Sequence, residues 1–146
     1  LDALRWILEQ PPLIIMIIIF LKNLLASAMA MLLGLGLGII PLLVATSNGF
    51  LLGVVAHGAV QQSGPLFLAA GILPHGILEL PAVLVSIAIG FRLGYLLALI
   101  LAREKADLAG ETRIAVRLLW RYITPILFLA AIIETFITPL AISVVP

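Results

Sequence analysis

There is no cysteine in these 146 residues. Disulfides and thiolate metal sites are thereby excluded, and cysteine usage leaves the redox compartment undetermined. Charge is almost as scarce: Asp, Glu, Lys and Arg make up 10% of the chain, against 64% hydrophobic residues. A soluble domain is about a quarter charged, so this chain has too little polar surface to clothe a globule in water. Its solvent is the lipid bilayer. A formal net charge of +1 provides no basic field, and no nucleic-acid partner is expected. No soluble domain, low-complexity segment or internal repeat stands out. The expected class is all-α: one integral membrane domain over residues 1–146, a polytopic bundle of about four transmembrane helices plus a broken, re-entrant half-helix.

The charges that are present mark boundaries. Residues 1–10 carry Asp2, Arg5, Trp6 and Glu9, read as the end of an interfacial helix with Trp6 at headgroup level. Pro11 and Pro12 open the next element, since proline suits a first helical turn. A first span is expected over 12–38, with Lys22 snorkelling or marking the edge of the core. Asn23, Ser27, Ala30, Gly34 and Gly38 fall near one stripe of it, and small residues let helix backbones approach closely. A turn at 38–41 leads to a second span, 42–60, with a further stripe at Ala45, Gly49, Gly53 and Ala56. His57 lies beside that stripe and Asn48 points nearly the opposite way. Gly90 and Gly94 make another close-packing pair. These stripes point chiefly to packing within the chain, with a homodimer as the other reading.

Residues 61–65 read as an uncharged turn. From Leu66 to Ala102 the chain is then apolar throughout, which as one straight helix would measure about 55 Å against a hydrocarbon core of about 30 Å. A break is therefore expected at Pro74–Gly76, with a half-helix before it and a long helix, carrying Pro81, after it. The segment 103–121 holds Arg103, Lys105, Arg113, Arg117 and Arg121. Together with Arg92 at the inner boundary, these basic residues place that side in the cytoplasm, and the spacing of 113, 117 and 121 predicts an amphipathic surface helix. The last span is expected over 122–144, anchored by Trp120 and Tyr122 and carrying Glu134 near its middle. Alternation then puts 61–65 and Leu1 outside. Because the chain starts at Leu1 rather than at methionine, this reads as a truncated N-terminus with a further span upstream.

The chemistry concentrates in Ile72–Ala82, where His75 and Glu79 share a helix face. An ionisable side chain at bilayer depth costs about 2.5–3.5 kcal/mol on insertion scales. The pair reads as a metal pair, an acid/base pair or a proton relay, or as hydrogen bonds that pin neighbouring helices. Zinc takes three or four protein ligands, and His57 and Glu134 complete such a set only if the fold brings them together. No intramembrane protease motif is present. No catalytic residue, metal or cofactor is expected. Glu134 has no partner in its own span and needs His75, His57 or a backbone group. For Glu79, Asn23 and Asn48 are the candidate donors.

Several of these residues form a family pattern. Phe20-x-x-Asn23, Gly34-x-Gly36-x-Gly38, Asn48-Gly49-x-x-x-Gly53, Leu73-Pro74-His75-Gly76-x-x-Glu79-x-Pro81-Ala82, Gly90-x-Arg92-x-Gly94 and a late Glu134 resemble the stage II sporulation protein M family over about residues 17–140. The resemblance implies a polytopic membrane protein. In spore formers the namesake is needed for engulfment, where it anchors and localises a complex with two cell-wall-degrading proteins. Relatives in archaea and in bacteria that do not sporulate have no assigned role. This chain departs from the family in lacking its N-terminal span. Two readings of function follow: a non-enzymatic membrane scaffold that recruits protein partners, or a transporter or channel component with a polar intramembrane site. An intramembrane hydrolase comes third. Scarcity of polar groups for lining a hydrophilic pore favours the scaffold.

Overall fold

The computed structural model describes residues 10–144, and all regular structure in that range is helical. The interfacial helix read at 1–10, with Trp6, lies outside the described residues but for Gln10. Helix α1 spans Pro12–Leu32, with Pro12 at its first position and the Pro11 carbonyl accepting from Ile14 and Ile15. It closes in a 3₁₀ turn, Leu33–Leu35. Leu37 and Gly38 both take positive φ there, and Gly38 at +81° starts the next helix. The chain therefore reverses at 36–38, slightly earlier than expected, and Pro41 falls in the first turn of α2.

Helix α2 spans Ile39–Leu101, 63 residues, with one backbone interruption at Gly64 (φ 83°, ψ 172°). That conformation belongs to glycine, and it divides α2 into an N-terminal limb, 39–63, and a C-terminal limb, 65–101. The remainder is a 36-residue helical rod, Leu108–Ser143. It consists of α3 (Leu108–Leu118), α4 (Thr124–Ile132) and α5 (Thr138–Ser143), joined by π turns at Leu119–Ile123 and Ile133–Ile137. Asp107 caps the rod by accepting from the Gly110 N–H at 2.8 Å. Three helices are long and apolar enough to cross a membrane: Pro12–Leu35, Ile39–Leu101 and Leu108–Ser143.

Two expectations are corrected here. The chain does not break at Pro74–Gly76: Pro74, Gly76 and Pro81 all lie inside continuous helix, and no separate half-helix 66–73 exists. A proline removes one N–H from the ladder and frees one carbonyl, a defect that a helix packed among neighbours absorbs. The length argument wrongly required all of 66–102 to lie in hydrocarbon, whereas the end near Arg103 and Lys105 is charged and can stand clear of it. The basic segment, likewise, is no isolated surface helix. Arg113, Arg117 and Arg121 are exposed, but Ala115 and Leu119 between them are buried in the core, and α3 continues into the last span.

Packing fixes the directions. The C-terminal limb runs parallel to α1: Ala30 and Gly34 meet Gly90, and Gly34 and Gly38 meet Gly94. A Cβ on Gly34 or Gly90 would fall on the facing backbone, and one on Gly94 would lie 2.6 Å from the Gly38 nitrogen. The rod runs antiparallel to the same limb, with Ile142 beside Gly71, Thr138 beside His75 and Glu111 beside Arg92. The core joins Met31, Ala82, Leu93, Ala115, Leu119, Ile123 and Leu127. Phe20 and Phe128 meet edge to face at 5.4 Å, a favoured aromatic geometry. The stripe read on α1 is the packed one: Asn23, Ser27, Ala30, Gly34 and Gly38 are all buried.

Candidate functional site

One polar cluster forms where α1, the C-terminal limb and the rod meet. The limb supplies His75 and Glu79, one turn apart. The rod supplies Glu134 from its second π turn. One ligand-capable atom from each of these three side chains lies within 4.8 Å of the others, and all three residues are partly buried. Measured along the rod, Glu134 lies about 18 Å from Tyr122 and about 15 Å from Val144 at ~1.5 Å per residue, within a helix apolar enough to cross a membrane.

The surrounding groups orient it. The Thr138 hydroxyl donates to the Ile133 carbonyl, the widened π turn making that i−5 bond, at 3.3 Å. The same oxygen lies 3.3 Å from His75 Nδ1. As the Nδ1–H tautomer, His75 donates to that oxygen and keeps a lone pair on Nε2. On α1, Asn23 is buried, 6% exposed, within side-chain hydrogen-bonding reach of Glu79. Lys22 is exposed, yet close enough for its charge to act on both Glu79 and Glu134.

Other sequence candidates lie elsewhere. His57 and Asn48 are on the N-terminal limb and exposed, with Asn48 Nδ2 donating to its own helix at the Val44 carbonyl, 2.9 Å. Arg92 pairs with Glu111 at 2.8 Å, not with Glu134. Arg103 and Lys105 lie in the exposed link before the rod. Thr138 was no candidate, although it stands four residues from Glu134, the spacing that relates His75 to Glu79. That shared period was the available signal. Chemically, the cluster can hold a proton between two carboxylates, accept donors from a neighbouring helix, or ligate a cation.

The family model described as Stage II sporulation protein M matches residues 3–139. An uncharacterized protein of Methanocaldococcus jannaschii is 39% identical over 94 residues, covering 63% of this chain and 53% of that protein. The matched part is therefore about half of that relative's length. No solved structure matches.

Proposed function

This chain belongs to the stage II sporulation protein M family, and from that premise we propose that it is a non-enzymatic, multi-pass membrane scaffold whose N-terminal limb docks a membrane helix of another protein. In this reading the chain crosses the cell membrane four times, by α1, the two limbs of α2 and the rod. The basic segment 103–121 faces the cytoplasm and 61–65 the outside. Four crossings are supported by the path of α2, which starts beside Gly94, turns at Gly64 and returns along the C-terminal limb.

The observation that carries the docking role is the surface of the 39–63 limb. A Cβ added at Gly49 or Gly53 would meet nothing within 4 Å among the described residues. The α1 stripe, by contrast, is consumed within the chain. Beside those glycines His57 is exposed. Lipid tails accept exposed leucines without cost, but they offer nothing to an imidazole. Small residues with interspersed polar groups are what lateral helix association in a membrane uses. A partner with a small-residue transmembrane helix and a hydrogen-bonding side chain fits that surface. In spore formers, anchoring of cell-wall-remodelling proteins is such a task.

Scarcity of polar groups argues against the transporter alternative. The cluster offers few hydrophilic side chains. A photoreactive residue at Phe50, 70% exposed, tests the docking role in native membranes. The expected adduct is one membrane protein, identified by mass spectrometry and lost when Gly53 becomes Leu. Adducts with lipid alone would overturn the reading, and adducts with a second copy of this chain would replace it by self-association.

A further inference from the structure

We infer that His75, Glu79 and Glu134 bind a divalent metal ion of the zinc type as a clasp between the C-terminal limb and the rod. The site is separate from the docking limb. The sequence offers only two neighbouring ligands, too few for zinc. The fold brings in the third, Glu134, and leaves His57 aside. One imidazole nitrogen and two carboxylates are a donor set suited to Zn²⁺ and to Mn²⁺ or Fe²⁺. A tetrahedral ion with bonds of about 2.0–2.2 Å sets its ligand atoms roughly 3.4 Å apart. The observed limit of 4.8 Å exceeds that separation by about 1.4 Å.

Three further features point to a ligand. Nδ1 of His75 faces Thr138 Oγ1 at 3.3 Å, so Nε2 is the nitrogen left to meet a metal. Metal-binding imidazoles are commonly fixed in this manner through their other nitrogen. Two hydroxyls lack a partner among the described residues: Ser27 Oγ, fully buried one turn beyond Asn23, and Thr135 Oγ1, beside Glu134 in the π turn. Such turns recur at functional sites. Charge gives the third. Two carboxylates this close at bilayer depth require compensation. Lys22 is exposed and brings one charge, so the second carboxylate is neutralised either by a proton or by a shared cation. A divalent ion neutralises both, and three protein ligands leave one coordination position for water or another ligand.

The test uses the full chain purified in detergent without added metal, with metal content read by mass spectrometry. About one equivalent of Zn²⁺ per chain is expected, retained or taken up after chelator treatment. Co²⁺ added to the stripped protein should give the visible absorption of a low-coordinate site. Glu134→Gln should lose stoichiometric retention, and Thr138→Val should weaken Zn²⁺ binding about 10–100-fold while Asn48→Ala binds as wild type. Should Glu134→Gln fail to fold, the Co²⁺ spectrum and Thr138→Val still decide. Neither Zn²⁺ nor Mn²⁺ uptake by wild type between pH 6 and 8 would overturn the inference in favour of a shared proton. Unchanged binding in both cluster variants would overturn it as well.

Discussion

Replacing Gly90 by alanine and, separately, Gly53 by alanine places the same methyl group on the same helix in two opposite settings. At Gly90 the added Cβ falls on the Ala30 carbonyl and comes within 3.2 Å of Pro41 Cβ. The obstacle is backbone, so no rotamer change relieves it, and α1 must move off the C-terminal limb. Overpacking of this kind costs about 1–3 kcal/mol, and the absence of a flexible neighbour places it at about 3. Alanine also recovers about 1 kcal/mol of helix propensity over glycine, leaving a net destabilisation of roughly 2 kcal/mol. At Gly53 nothing among the described residues stands within 4 Å of the added Cβ, so only the gain of about 1 kcal/mol remains. The two variants should therefore differ by about 3 kcal/mol, or roughly 6–12 °C in Tm at 2–4 °C per kcal/mol. Thermal unfolding of both variants in one detergent reads this directly. Equal Tm values would refute the packing of α1 against the C-terminal limb, and the reverse order would refute the exposure of the N-terminal limb.

Other consequences can be checked independently. Glu79→Gln keeps an acceptor for Asn23 and should stay closer to wild-type stability than Glu79→Ala, which strands a buried donor at about 1–3 kcal/mol; wild-type Tm in both would contradict a structural role for that carboxyl. Single cysteines at positions 63 and 108 should label from opposite sides, 63 from outside with an impermeant maleimide; labelling of 108 from outside would reverse the orientation. Arg92→Ala should leave Tm unchanged within error, because its pair with Glu111 is solvent-exposed and such pairs contribute little; a marked loss would show that the pair clamps α3 to the limb.

Local periodicity made part of this molecule readable before its structure. Asn23, Ser27, Ala30, Gly34 and Gly38 recur every three or four residues, so their common face follows from helix geometry alone, and their smallness says that the face meets another backbone. Their partner, the Gly90–Gly94 face, was visible as a close-packing pair but not as the mate of α1, because periodicity does not say which helices become neighbours. The same holds for the polar cluster. His75 and Glu79 are one turn apart and legible, whereas Glu134 joins them only because the rod runs antiparallel to the limb. Pro74 misled for a different reason. A proline weakens one hydrogen bond, and whether the helix continues depends on what packs around it. The one backbone interruption of α2 falls at Gly64, within the 61–65 segment read as a turn, where glycine takes φ 83° without strain.

The docking role of the N-terminal limb is the claim on which the functional account depends, and one measurement reaches it most directly. The double variant Gly49→Leu, Gly53→Leu adds side chains where an added Cβ meets nothing within 4 Å among the described residues, so the folded bundle should tolerate it. Co-purification with the membrane protein identified by cross-linking, quantified against wild type in the same membranes, should fall at least tenfold while Tm stays at or above the wild-type value. Undiminished co-purification in a folded double variant would contradict the account.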